Sequence, residues 1–292
     1  MIVTLAEKSG FCPGVKRADK SIKELIEKKD GKIYTLGALI HNRIYNDSLL
    51  ARGVVSISID EVEPTLAKLG GEKATLVIRT HGITKEDSDY LFELERKNEN
   101  FSVMDMTCSY VKKIHSIAEE NTDENSVFLL YCDKNHPEAK GIISYAKGEK
   151  YMFSSIDEIK NINFGNKKIV LCSQTTQNTF EYEKILKFFK KLYTNLIFFD
   201  TICNVTQKRQ DEAVKLSKKT DAMIVIGGRD SSNTRKLYDL CRINSPYAIH
   251  VESASELSLA EFPPETQKIG ITAGASTPDD IILEVIKQWK KN

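Results

Sequence analysis

The 292-residue chain lacks the features that mark membrane proteins, secreted proteins and proteins that bind polyanions. No apolar run approaches the ~20 residues that a membrane-spanning helix needs. The N-terminal sequence MIVTLAEKSG has neither the charged start nor the long apolar segment of a signal peptide. The net charge is only +1, so neither nucleic acid nor a membrane surface is an expected partner. We therefore expect a cytoplasmic protein.

Several sequence motifs are absent as well. The six cysteines include no CxxC pair, the usual mark of a structural zinc site. Neither a P-loop nor a GxGxxG fingerprint occurs, so a nucleotide is not the favoured ligand. In a cytosolic chain of this size, cysteines indicate metal ligation or catalysis before disulfides. The length predicts two or three structural units.

Eleven short apolar runs alternate with Lys- and Glu-rich stretches whose apolar residues recur at helical spacing. The predicted strands are Ile2–Leu5, Ile33–Leu36, Val54–Ile57, Ala74–Ile78, Phe101–Met104, Ser126–Tyr131, Ile169–Leu171, Leu196–Phe199, Ala222–Ile226, Tyr247–Val251 and Ile269–Ile271. Strands that alternate with helices predict βαβ units with mainly parallel sheets, hence an α/β protein. Open α/β sheets place their ligands just beyond the carboxyl ends of the strands, and polar residues follow many of these runs.

A threefold internal repeat connects these polar residues. Each of three cysteines follows a short strand, and a histidine or a serine lies 28 or 29 positions after it, with a third polar residue further on. The three sets are Cys12, His41 and His81, then Cys108, His136 and Thr175, and then Cys203, Ser231 and Ser276. Such self-similarity indicates one structural unit used three times, here in a pseudo-threefold arrangement. The repeat leaves open whether the strand before each cysteine pairs with the preceding or the following unit.

The three repeated cysteines lie at strand-to-helix turns, where backbone N–H groups and the helix dipole stabilise a thiolate. Thiolates from separate loops ligate zinc or an iron–sulfur cluster. Three lone cysteines suit a cubane cluster that keeps one iron open for substrate. Ordinary burial in the core is the alternative, and it is the expectation for Cys132, Cys172 and Cys241, although the first two could also line a pocket.

Two loops, GGRDSSNTRKL and TAGASTPDD, have the composition of anion sites. Small residues let the backbone approach a ligand, and hydroxyl and amide groups supply donors. Helix capping alone is the alternative for Ser276, and it accounts less well for the run Ser231, Ser232 and Asn233, which has more donors than a cap uses.

The five histidines divide into two groups. Three of them, His41, His81 and His136, lie in equivalent loops after strands and are functional candidates. His115 lies in a helical stretch and His250 inside a strand, so both are expected to be structural.

Glu138 is the one carboxylate in the motifs of the three candidate histidines, GALIHN, RTHG and NHPE. Pro137 suits the first turn of a helix, where the dipole also favours a carboxylate, so a structural role is one interpretation. The other is a proton donor whose pKa is tuned by a buried pocket. Thr175 could relay that proton through its hydroxyl or cap a helix, and both interpretations stay open.

Nine motifs follow one another along the chain: GFCPGVKRA, GALIHN, RTHG, DMTC, NHPE, SQTT, DTICNVT, SSNTRKL and TAGAST. In this order they closely resemble the 4-hydroxy-3-methylbut-2-enyl diphosphate reductases, the terminal enzymes of the non-mevalonate isoprenoid pathway. The resemblance runs from the first strand to about Asp280. Two departures concern local loop shape. DMTCS replaces the usual DATCP, and Asn135 replaces the usual glycine before the histidine.

The resemblance implies three α/β units around a central 4Fe–4S cluster held by Cys12, Cys108 and Cys203, with one iron site open. It implies that the strand before each cysteine belongs to the preceding unit, so the units span 13–107, 108–203, and 204–292 plus 1–12. Glu138 matches the proton-delivering carboxylate, and Thr175 the hydroxyl that orients the substrate alcohol. Diphosphate binding is implied for His41, His81, His136, Ser231, Ser232, Asn233 and Ser276.

The implied reaction is the two-electron reductive removal of an allylic hydroxyl, which yields isopentenyl and dimethylallyl diphosphate. The implied partners are the allylic diphosphate and an electron-donor protein of the ferredoxin or flavodoxin type, with no nucleic acid and no membrane. Two other classes stay open on the residues alone. A redox or iron sensor could use the same cluster, although the many donors argue against it. A zinc-dependent hydrolase could use the three cysteines and a water.

Overall fold

The computed structural model describes residues 2–258 and 262–291, which contain twelve strands and ten α-helices. The strands are β1 Ile2–Leu5, β2 Lys32–Leu36, β3 Val54–Ile57, β4 Ala74–Ile78, β5 Phe101–Asp105, β6 Ser126–Tyr131, β7 Glu149–Phe153, β8 Lys168–Ser173, β9 Leu196–Phe198, β10 Ala222–Ile226, β11 Tyr247–Val251 and β12 Lys268–Ala273. The helices are α1 Pro13–Lys28, α2 Arg43–Ala51, α3 Val62–Leu69, α4 Lys85–Lys97, α5 Ser109–Asn121, α6 Pro137–Tyr145, α7 Thr179–Leu192, α8 Asn204–Ser217, α9 Ser232–Asn244 and α10 Asp279–Lys291. None of these helices combines the length and the apolar character that crossing a membrane requires.

The strands form three sheets of four, and every pairing between neighbours is parallel. The strand orders are β3-β2-β4-β5, β7-β6-β8-β9 and β11-β10-β12-β1. In each sheet the first and third strands of the repeat lie at the centre, and the second and fourth lie at the edges. The prediction of three similar α/β units with parallel sheets is confirmed.

The first strand of the chain completes the last sheet. β1 pairs with β12, from Ile2 opposite Lys268 to Leu5 opposite Ile271. The strands that precede the other two cysteines, β5 and β9, are likewise edge strands that pair with β4 and β8. The strand before each cysteine therefore pairs with strands of the preceding unit, as the family resemblance implied.

The sequence analysis missed β7, which begins with a charged pair, Glu149 and Lys150, both exposed. Only Tyr151, Met152 and Phe153 give this strand an apolar character. β7 is an edge strand that pairs with β6 alone. An edge strand tolerates charged residues because part of it faces water, so its sequence carries a weaker strand signal.

The central strands are buried on both faces. All residues of β6 and of β10 are buried, because helices cover both sides of a parallel sheet. In the sheet that contains β10, Ile224 and Ile271 pack with Trp289 of α10, whose ring meets Phe262 edge-on at a centroid distance of 5.4 Å.

Residue contacts divide the chain into two compact units. The first compact unit comprises residues up to Val15, His41–Tyr45 and the chain from Cys203 onward. The second comprises Lys16–Ile40 and Asn46–Ile202. The sheet completed by β1 lies in the first, and the other two sheets lie in the second. The three boundaries expected from the sequence stay a prediction.

Candidate active site

The three repeated cysteines all lie at the start of a helix. Cys108 is the N-cap residue of α5, Cys203 is the N-cap residue of α8, and Cys12 directly precedes Pro13, the first residue of α1. All three side chains are half-buried, and none of the six cysteines, all within the described ranges, forms a disulfide. The N–H groups at the start of a helix favour a negatively charged sulfur, so the local fold suits thiolate ligands.

The other three cysteines differ in their surroundings. Cys132, Cys172 and Cys241 have no exposed surface. Burial raises the pKa of Cys132 to about 12 and that of Cys241 to about 11, and it raises the pKa of Cys172 as well. These thiols stay neutral and pack as small apolar groups, as expected for core cysteines.

The loop that carries Cys12 lies in the first compact unit, where side chains of α8 hold it. The Glu212 carboxylate accepts hydrogen bonds from the N–H groups of Glu7 and Lys8, at 2.7 and 2.8 Å. One helical turn earlier, Arg209 Nη2 donates to Gly10 O at 2.8 Å. The sequence analysis missed Arg209, since nothing in QKRQ distinguishes a buried arginine from an exposed one.

The predicted anion-binding residues of the first compact unit follow β10 and β12. Ser276 Oγ donates to the backbone oxygen of His41 at 3.2 Å and lies 3.3 Å from Ser231 Oγ. Gly228 lets the loop after β10 approach the backbone of His41, because a Cβ at that position would lie 2.5 Å from His41 O. The structure therefore brings Ser231, Ser276 and the backbone of His41 together.

Helix capping accounts for only part of this hydroxyl and amide cluster. Ser231 caps α9 by accepting a hydrogen bond from Thr234 N at 3.3 Å. Ser232 and Asn233 are nonetheless buried. Within the described residues, neither polar atom of the Asn233 amide has a hydrogen-bond partner. A buried amide without partners is costly, by roughly 1–3 kcal/mol, so Asn233 has both a donor and an acceptor left to bind another group.

In the second compact unit, Glu138 and Thr175 form a closed pair. Thr175 N donates to Glu138 Oε1 at 2.7 Å, and Thr175 Oγ1 donates to Oε2 at 2.9 Å. Thr175 thus binds both carboxylate oxygens, with one bond from the backbone and one from the side chain. The loop that carries it is fixed further by Gln174, whose side chain accepts from Asp133 N at 2.9 Å. Gln174 is a second residue that the sequence analysis missed.

The environment of Glu138 favours its protonated form. The residue is only 2% exposed. Burial raises the pKa of Glu138 to about 7, although the two hydrogen bonds from Thr175 act in the opposite direction. A carboxyl group with this pKa holds a proton and can release it near neutral pH, the property required of a general acid.

His136 is the N-cap residue of α6, and its Nδ1 accepts a hydrogen bond from Glu138 N at 3.1 Å. In a neutral imidazole this leaves the proton on Nε2, so the other ring nitrogen is a donor. The ring of His81 meets that of His136 edge-on, with centroids 5.3 Å apart. His136 is therefore bonded to the backbone of Glu138, and His81 lies beside His136.

The remaining two histidines have structural contacts, as expected. His115 stacks on Tyr145 at a centroid distance of 4.1 Å, and burial lowers its pKa to about 4, so it is neutral. His250 Nε2 lies 2.7 Å from Gly227 O and thereby braces the loop after β10.

A sequence model of the LytB protein family matches residues 3–290. The chain belongs to the LytB family. Among similar proteins, the 4-hydroxy-3-methylbut-2-enyl diphosphate reductase of Caldanaerobacter subterraneus subsp. tengcongensis is 41% identical over 99% of this chain and 97% of its own length. The reductase of the same name from Campylobacter hominis is 40% identical over 99% of this chain and 98% of its own length.

Two solved structures are also similar. One is described as (E)-4-hydroxy-3-methyl-but-2-enyl diphosphate reductase, the terminal enzyme of the non-mevalonate pathway, with 34% identity, a TM-score of 0.68 and full coverage of both chains. The other, the E-1-hydroxy-2-methyl-but-2-enyl-4-diphosphate reductase from Plasmodium falciparum, is 26% identical, with a TM-score of 0.86, and covers 98% of this chain and 87% of its own. The resemblance found in the sequence motifs is confirmed, and LytB membership makes the chain an iron–sulfur oxidoreductase.

Proposed function

We propose that this LytB chain converts (E)-4-hydroxy-3-methylbut-2-enyl diphosphate to isopentenyl and dimethylallyl diphosphate by two-electron reductive dehydroxylation. The names of its full-length relatives support the reaction. The observation that carries the mechanism is the buried pair of Glu138 and Thr175, a carboxyl group with a raised pKa and both oxygens fixed.

We propose Cys12, Cys108 and Cys203 as the three ligands of a 4Fe–4S cluster with one open iron site. The donor set fits this group, because soft thiolate sulfur is the usual ligand of iron–sulfur clusters. Each cysteine also lies at a helix start and is half-buried, whereas the other three are fully enclosed. When bound, such a cluster supplies electrons one at a time and a Lewis-acidic iron. A redox sensor would need the same three ligands, but it would have no use for the buried Asn233 amide, whose polar atoms have no hydrogen-bond partner within the described residues.

The diphosphate is bound by neutral donors in this proposal. In the first compact unit the donors are the hydroxyl groups of Ser231, Ser232 and Ser276, the side chain of His41, and the Asn233 amide. In the second they are the imidazoles of His81 and His136, the latter with its proton on Nε2. Neutral donors hold the diphosphate in place without excessive attraction to the product, and this remote binding orients the allylic alcohol.

Glu138 delivers the proton that lets the hydroxyl leave as water. Glu138 Oε2 and Thr175 Oγ1 lie 2.9 Å apart. When the carboxyl is protonated, Oε2 can donate to the hydroxyl, which can accept that proton and donate its own to the substrate oxygen. Each turnover also takes up two electrons and a second proton. Addition of this proton at one end of the allyl fragment or at the other gives isopentenyl or dimethylallyl diphosphate. Thr175 orients the substrate alcohol through the same hydroxyl.

We propose that the electron donor is a small redox protein of the ferredoxin or flavodoxin type. The protein is cytoplasmic, and the three α/β units span 13–107, 108–203, and 204–292 plus 1–12.

Anaerobic purification followed by metal analysis and a turnover assay tests the proposed function. We expect iron and acid-labile sulfide, and conversion of the hydroxylated diphosphate to both products with a chemical reductant. Stoichiometric zinc without sulfide would instead indicate a hydrolase. A loaded cluster without turnover would indicate a sensor.

A matched pair of cysteine variants tests the ligand assignment. Cys203→Ser removes a proposed ligand, and we expect loss of iron, sulfide and turnover. Cys241→Ser changes a buried cysteine of the same compact unit, and we expect it to keep the cluster. A fully loaded and active Cys203→Ser protein would remove that residue from the ligand set.

A further inference from the structure

The guanidinium of Arg209 is buried without a carboxylate partner. The residue is 3% exposed, and within the described part of the chain it forms no ion pair within 4.0 Å. Its hydrogen bonds go to two backbone oxygens, those of Gly10 and Ala273, and its Nε has no partner among the described residues. A buried cation costs several kcal/mol unless negative charge compensates it, so compensation must come from elsewhere.

Negative charge at neighbouring side chains supplies this compensation. Burial lowers the pKa of Arg209 to about 10, whereas charge at Cys12, Glu212 and Cys203 acts in the opposite direction. Glu212 lies one helical turn away, and its oxygens also accept hydrogen bonds from the N–H groups of Glu7 and Lys8. Because Arg209 bonds the loop of Cys12 and lies on the helix that follows Cys203, thiolates at these two cysteines are its other counter-charges.

The position of Arg209 also connects the segments that carry these two cysteines. It lies on α8, the helix that begins directly after Cys203, and it bonds Gly10, two residues before Cys12. Its other bond is to Ala273, at the end of β12, and Cys12 N donates to Ala275 O nearby at 3.1 Å. Gly10 has a left-handed φ of 79°, and a Cβ there would lie 2.7 Å from Asp279 Oδ1, so the loop requires glycine at the position that Arg209 bonds.

We infer that Arg209 is a positioning residue that fixes the Cys12 loop to the Cys203 helix and sets the reduction potential of the cluster with a permanent positive charge. This inference rests on the proposed function, because it presumes a cluster on these cysteines. Reduction adds negative charge to the cluster, so a positive charge beside it favours the reduced form and raises the reduction potential.

Potentiometric titration of the anaerobic holoenzyme with dithionite, followed by electron paramagnetic resonance, tests this inference. At the midpoint potential of the wild-type protein, we expect the ratio of reduced to oxidised cluster to fall about tenfold in Arg209→Gln, a downward shift of about 59 mV for a one-electron couple. Arg209→Lys keeps the charge, and its ratio should stay within about threefold of wild type.

Positioning has a separate readout in the cluster-free protein. Both Arg209 variants lose the forked hydrogen bonds, so amide hydrogen exchange in residues 7–12 should accelerate in each. Unchanged exchange in both variants would overturn the positioning role. A wild-type ratio in a loaded Arg209→Gln protein would overturn the electrostatic role while leaving the proposed function intact.

Two readouts cover the case in which Arg209→Gln fails to assemble a cluster. Hydrogen exchange of residues 7–12 needs no cluster. A loaded Arg209→Lys protein whose ratio of reduced to oxidised cluster departs from wild type by tenfold or more contradicts the electrostatic role. Absence of iron and sulfide from the wild-type protein would instead contradict the proposed function itself.

Discussion

Replacing Glu138 by glutamine should make the stability of the protein less sensitive to pH. Burial raises the pKa of Glu138 from 4.5 to about 7. Below about pH 4.5 the carboxyl group is protonated in the folded and the unfolded chain alike. Between about pH 4.5 and 7 only the folded chain retains the proton, so the folded state loses stability as pH rises through this window.

The magnitude follows from the size of the shift. A difference of about 2.5 units at 1.36 kcal/mol per unit amounts to about 3 kcal/mol by pH 8. Glutamine cannot ionise, and it has nearly the shape of the carboxylic acid. Its amide oxygen can accept the bond from Thr175 N, while its NH₂ can donate to Thr175 Oγ1. The free energy of unfolding of the variant, relative to that of wild type, should therefore rise by roughly 2–3 kcal/mol between pH 5 and pH 8.

Urea denaturation of the cluster-free protein at pH 5, 6, 7 and 8, followed by circular dichroism, measures this difference. Glu158→Gln is the matched control. Hydrogen bonds from Lys134 and Ser154, together with the charge of Lys134, lower the pKa of Glu158 to about 2. The contribution of Glu158 to the free energy of unfolding changes only below about pH 4.5. The stability difference between Glu158→Gln and wild type should therefore be constant from pH 5 to pH 8. If the free energy of unfolding of Glu138→Gln relative to wild type varies by less than about 0.5 kcal/mol between pH 5 and pH 8, the raised pKa is refuted. Infrared spectroscopy gives an independent check, since the C=O stretch of a protonated carboxyl should disappear in the variant.

Three other changes give distinct outcomes. Thr175→Val removes the proposed relay and a hydrogen bond that lowers the pKa of Glu138, so kcat should fall, the alkaline limb of the residual kcat profile should move to higher pH, and Thr175→Ser should restore both. Asn233→Leu removes a buried amide without partners, so urea denaturation should show equal or higher stability, while calorimetry with inorganic pyrophosphate shows weaker binding. Ile224→Ala, in a fully buried central strand, should lower the free energy of unfolding by about 2–5 kcal/mol, whereas Ile243→Ala, 80% exposed, should change it by less than about 0.5 kcal/mol.

The sequence predicted the sheets well, because their central strands are long apolar runs bounded by polar loops. It missed β7, whose charged first residues are compatible with an edge strand but do not identify one. The strand partners of β1 required the family resemblance, since local sequence contains no information about a pairing with β12. Local patterns report burial of a segment, and they do not report which distant segment covers it.

The candidate site was predictable where repetition singled out its residues, as for Cys12, Cys108 and Cys203. The role of Arg209 was not predicted, because charged residues are expected on the surface and the sequence does not show that this one is buried. The pairing of Glu138 with Thr175 was foreseen as a relay, but the bond from Thr175 N to the second oxygen was not. That bond depends on backbone geometry, which residue types do not encode.

The pairing of β1 with β12 has a consequence for synthesis of the chain. The ribosome makes β1 before its hydrogen-bonding partner, residues 268–271, so β1 stays unpaired until that later segment is made. Cys12 N likewise has its acceptor, Ala275 O, in the later segment. This differs from domains that fold from the N-terminus as they emerge. The metal loading proposed for Cys12 would then follow synthesis of β12. Nascent chains stalled before β12 should leave β1 open to protease, and chains released after it should not.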